Sequence, residues 1–78
     1  MIIKKERLRG FLDRNSLTPI NFANIIDVEL CEVEKLLNGE AVGVDTARKF
    51  INFFKADIAE RYIDWKAMNI ESPLRNKR

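Results

Sequence analysis

Glu29 and Glu32 stand three residues apart, one helical turn, a spacing at which two carboxylates could share a cation. Two carboxylates without further oxygen ligands at suitable spacing make only an open, weak site, and the segment NGEAVGVD (38–45) does not have the ligand order of an EF-hand loop. Nucleophilic and acid–base chemistry have less to work with. The chain has no histidine, no Ser/His/Asp set, no glycine-rich phosphate loop and no Cys/His cluster. These residues point away from an enzyme, and no metal or cofactor is expected. Cys31 is the single cysteine, so no internal disulfide can form, which agrees with a reducing compartment. What remains is binding by charged and apolar side chains, and that requires elements to hold them.

The elements are clearest over residues 17–39, LTPINFANIIDVELCEVEKLLNG. Thr18 is a good N-cap, and Pro19 suits the first helical position, where a missing N–H costs nothing. Phe22 and Ile26 lie four apart with Ala23 beside them, the buried stripe of a short helix. Asp27 then makes a corner. Val33, Leu36 and Leu37 have the spacing of the inner face of a second helix, which Asn38-Gly39 ends. Val28 and Val33 are expected to plug the place where the two helices meet.

This pattern resembles the helix-turn-helix of the lambda-repressor and Cro-like (XRE-type) family, of the sort found in small phage and mobile-element regulators. The match covers Ala23 as the small residue, Asp27 at the corner, apolar Phe22, Ile26, Val28, Val33 and Leu36, and Gly39 after the second helix. The family's corner usually holds glycine because the backbone there is left-handed; Asp tolerates that region better than most residues. The resemblance implies an all-α, five-helix DNA-binding domain with the helix-turn-helix at the second and third helices. It also implies that the third helix enters the DNA major groove. Carried over position by position, the groove-facing residues are Glu29, Leu30, Cys31, Glu32, Glu34, Lys35 and Asn38. Asn21 takes the phosphate-contacting place at the start of the second helix. Family members commonly dimerise through a fifth helix, so a homodimer is an expectation of the same kind.

The rest of the chain supplies the supports. Leu8, Phe11 and Leu12 share a face of a first helix over 4–14, which also carries Lys4, Lys5, Arg7, Arg9 and Arg14. After a loop over 38–44, Asp45 is expected to cap a fourth helix over 46–55, with Ala47, Phe50, Ile51 and Phe54 inward. Asp57 and Glu60 suggest a capping pair for a fifth helix, lined by Ile58, Tyr62 and Trp65 and widened by Ala59 and Ile63. The sequence predicts one helix-turn-helix domain over 1–70 and a flexible basic tail over 71–78. Seventy-eight residues with 46% hydrophobic and 33% charged content fit a small globular domain. No apolar run approaches a membrane span, and the N-terminal charges follow the apolar residues, the wrong order for a secretory signal. A cytoplasmic protein is expected.

Charge divides the functional readings. Residues 1–15 hold five basic and two acidic groups, whereas residues 16–45 hold one basic and six acidic. The motif is therefore acidic and its flanks are basic. A carboxylate about 6 Å from a phosphate, at an effective dielectric near 50, is repelled by roughly 1 kcal/mol. One reading is a sequence-specific transcriptional regulator of operator DNA, with the first helix, Arg48, Lys49 and the tail on phosphates and a glutamate accepting from a cytosine N4 amine. The other is a degenerate helix-turn-helix that presents Leu30, Cys31 and the glutamates to a repressor or other protein regulator.

Overall fold

The structure, a computed structural model, describes residues 1–68. The basic tail expected over 71–78 lies outside them. The described residues form five helices and no strand: α1 (Lys5–Arg14), α2 (Pro19–Ile26), α3 (Leu30–Leu37), α4 (Val44–Phe54) and α5 (Ala56–Tyr62). Leu8 and Leu12 of α1, Phe22, Ala23 and Ile26 of α2, and Val33, Leu36 and Leu37 of α3 are all buried, as their spacing requires.

Helix α2 begins at a capping box. The Thr18 hydroxyl accepts the Asn21 N–H at 3.1 Å, and the Asn21 side-chain oxygen accepts the Thr18 N–H at 3.4 Å. It ends at Asp27, whose φ of 63° and ψ of 53° are left-handed, and the Val28 N–H then donates to the Ala23 carbonyl at 3.0 Å. Val33 is fully buried between the helices. Val28 is only half-buried and packs on the edge of the core, so the expected plug is one valine rather than two.

Helix α4 starts earlier than its sequence suggests. Gly43 is the N-cap, and Asp45 lies in the first turn, where it favours the helix dipole without capping it. The inner side of α4 builds an aromatic cluster. Phe50 is fully buried and lies 4.8 Å, centroid to centroid, from Phe54; Phe54 stacks on Tyr62 at 4.6 Å. Phe11 closes the cluster edge-on at 5.0 Å from Phe54, and Phe22 lies tilted to the same ring at 6.3 Å. Phe53 covers its rim at 39% exposure.

Helix α5 departs most from expectation. It follows α4 after the single residue Lys55, whose φ of 73° and ψ of 153° turn the chain sharply, so it starts at Ala56 rather than at Asp57. The Asp57 carboxylate accepts only the adjacent Ile58 N–H, and no capping box forms with Glu60. The helix stops at Tyr62 because Ile63 becomes extended and makes an antiparallel bridge with Ile3. Lys4 N–H donates to the Tyr62 carbonyl at 2.7 Å, and Asp64 N–H donates to that of Ile2 at 2.8 Å. On its other side the N-terminal thread receives the Val42 N–H on the Met1 carbonyl at 2.9 Å. Residues 1–4 thus tie the loop after α3 to the chain after α5, with Ile3 only 1% exposed.

Two substitutions test this account. Lys55→Gly should raise the unfolding free energy by about 1 kcal/mol, because its backbone occupies a region nearly confined to glycine. Ile3→Ala should lower it by about 2–5 kcal/mol, the usual cost of truncating a core isoleucine. Urea denaturation reads both, and a loss well under 1 kcal/mol for Ile3→Ala would show that the thread is not part of the core.

Candidate nucleic-acid interface

Helix α3 buries Val33, Leu36 and Leu37 and so turns Cys31, Glu34, Lys35 and Asn38 outward, with Leu30 at its edge at 37% exposure. Glu29 is the N-cap, exposed and without a side-chain capping bond. Six of the residues expected to face a groove are therefore exposed along or just before α3. Glu32, the seventh, sits half-buried against α4. Its Oε1 accepts from the Thr46 hydroxyl at 2.9 Å and its Oε2 from Lys35 Nζ at 3.3 Å. The Thr46 hydroxyl and then Lys35 hold the Glu32 carboxyl below the ordinary carboxylate range, against the opposing effect of its partial burial; the Gly43 N–H adds to the lowering. Both oxygens of Glu32 are engaged, so it fastens α3 to α4 and is no free partner of Glu29 for a cation. Among the described residues no group of three or more His, Cys, Asp or Glu is placed to hold a metal, and no helix is long and apolar enough to cross a membrane.

The other expected contacts lie around this surface. Asn21 is exposed in the first turn of α2, where its side chain is already part of the capping box. Arg48 lies outward on α4, 3.8 Å from the Asp45 carboxylate; both are well exposed, so the pair adds little stability. Lys49 is differently placed. Its Nζ donates to the Asp27 main-chain carbonyl at 2.8 Å and lies 3.6 Å and 3.5 Å from the Asp27 and Asp45 carboxylates. It clasps the corner between α2 and α3.

The surface changes character from one end of α3 to the other. At the N-terminal end Asp27, Glu29, Glu32 and Asp45 line a cleft of about 530 Å³, together with Lys49 and Val44. At the C-terminal end Lys4, Lys5 and Arg7 of the α1 side meet Asn38 and Gly39 around a second cleft of about 520 Å³, which Glu6 and Asp64 also line. Arg9 completes that edge by donating from Nη2 to the Leu37 carbonyl at 2.8 Å, which satisfies the end of α3. Sequence spacing pointed to neither Thr46 nor Arg9 as an anchor of α3. Thr46 lies 14 residues from Glu32 and Arg9 lies 28 from Leu37, so only packing brings them together.

The lowered pKa of Glu32 makes a pH prediction. Its folded value lies below its unfolded one, so its contribution is complete above the ordinary carboxylate range and is lost as pH falls through the folded value. Glu32→Gln should lower the urea midpoint at neutral pH and change it less in acid, so that the acid side of the stability profile flattens. An unchanged acid limb would show that the Thr46 and Lys35 contacts carry no such linkage.

Comparison with protein-family models, with curated proteins and with solved structures gives no match for this chain.

Proposed function

We propose that this protein is a sequence-specific, double-stranded-DNA-binding transcriptional regulator of the lambda-repressor/Cro-like helix-turn-helix kind, acting in the cytoplasm, with α3 as the helix that enters the major groove. The observation that carries the reading is the left-handed Asp27 between two eight-residue helices, which leaves the outer side of α3 unpacked. A protruding helix with an exposed polar face fits a groove about 12 Å wide. Glu29 and Glu34, as acceptors, suit the exocyclic amines of cytosine or adenine; Leu30 suits a thymine methyl; Lys35 and Asn38 reach base or backbone. One module of this size makes few base contacts, so a homodimer is part of the proposal. Helix α5 offers Ile58, 40% exposed, for that purpose.

A specific observation favours a second reading, a degenerate helix-turn-helix that binds a repressor or another protein regulator. Glu29 and Glu34 are exposed carboxylates, while Lys35, expected to face the groove, and Lys49, an expected phosphate contact, are turned onto carboxylates of the same chain.

Fluorescence anisotropy with DNA from upstream of the coding sequence, at two salt concentrations, separates the readings. Specific binding with a steep negative dependence on salt is expected. Glu29→Gln with Glu34→Gln should tighten binding to a mixed-sequence duplex by about tenfold, since each removes roughly 0.5–1 kcal/mol of repulsion. Weak, sequence-indifferent binding by the wild type, with a co-purifying repressor lost on the same double substitution, would establish the protein-binding alternative.

A further inference from the structure

The cations near α3 are not equivalent. Lys35 is turned onto Glu32, Lys49 onto Asp27 and Asp45, and Arg48 onto Asp45. The α4 side of α3 thus presents cations already matched by carboxylates of the same surface, beside the acidic cleft of Asp27, Glu29 and Asp45. On the α1 side the balance is reversed. Among the described residues Lys4, Lys5 and Arg7 have no carboxylate within 4 Å, and their side chains make no hydrogen bond within the chain. The Lys5 stem lies against Gly39, 3.7 Å from where a Cβ would stand, so this edge borders the end of α3. Asn38 is the junction: it borders the cleft with Lys4, Lys5 and Arg7 and also a smaller one of about 280 Å³ with Arg9 and Glu34.

We infer that the α1 edge, Lys4, Lys5 and Arg7 with Arg9 behind them, is the phosphate anchor of this protein, and that the Arg48–Lys49 edge of α4 is not. This rests on the DNA-binding reading and adds to it the strand contact and the tilt. Duplex DNA lies over the C-terminal half of α3, around Lys35 and Asn38, with its backbone on α1. The Asp27–Glu29–Asp45 end repels phosphate on its own side, which tilts the duplex toward α1. A cation that must leave an intramolecular carboxylate before it meets a phosphate gains less than one that exchanges only water, and an anionic cleft opposes backbone approach on its own side.

The test compares the salt dependence of wild type, Lys5→Gln with Arg7→Gln, and Arg48→Gln on one fluorescein-labelled mixed-sequence duplex. None of these side chains holds the fold together, and far-ultraviolet circular dichroism confirms that each variant is folded. Losing two phosphate contacts should make the slope of log K against log salt shallower by about 2, and Arg48→Gln should leave it unchanged. A shallower slope for Arg48→Gln with no change for the α1 pair would overturn the assignment while leaving DNA binding in place. Absence of binding by the wild type at low salt would overturn the DNA reading and the anchor together.

Discussion

The left-handed turn at Asp27, clasped by Lys49, is the constraint on which the remainder of this molecule depends. Helices of eight residues are far too short to persist alone, so α2 and α3 exist because each buries its apolar side on the other and on the neighbouring helices. That burial demands one orientation. A single residue added at the corner would rotate α3 by about 100° and carry Val33 out of the core. Lys49 holds the corner from α4 in two ways: its ammonium satisfies the Asp27 carbonyl, and it stands close to the carboxylate that distinguishes Asp27 from the glycine more usual in such a turn. Glu32 and Thr46 fasten α3 to α4 one turn further on.

How much of this the sequence discloses follows the range of the interactions. Thr18-Pro19, the corner, and the inner faces of α2 and α3 are specified by neighbours within a few residues, and their spacing alone locates them. Where a distant partner decides, local pattern fails. Ile63 continues the apolar period of α5, yet it leaves the helix because Ile3, sixty residues away in sequence, offers an extended partner in the core. Ile3 itself lies in a short N-terminal run with no alternation to mark it. Asp45 has the side chain of a cap, but Gly43 takes the extended position before the helix and Asp45 is drawn to Arg48 and Lys49 instead.

The candidate interface was legible as a set of positions and not as a charge distribution. Counting basic residues along the chain makes α4 look like a phosphate-binding flank. The structure shows that Lys49 faces the corner and that Arg48 and Lys49 share Asp45, so the positive charge there is largely matched. Conversely, the clustering of Lys4, Lys5 and Arg7 around Asn38 and Gly39 requires α1 to lie across the end of α3, which no local spacing in either helix conveys.

The three glutamates on and before α3 separate into two kinds, and the separation bears on what the surface is for. Glu32 belongs to the architecture: its oxygens are engaged, its pKa is lowered, and its contacts join two helices. Glu29 and Glu34 make no side-chain hydrogen bond or ion pair among the described residues. Favourable placement near a helix N-terminus accounts for a few tenths of a kcal/mol for Glu29 and offers Glu34 nothing, because it lies in the second half of the helix. Folding therefore does not call for carboxylates at these two positions. Each would repel a phosphate placed nearby by roughly 1 kcal/mol, so a surface that retains both must either meet hydrogen-bond donors there or keep that side clear of the backbone.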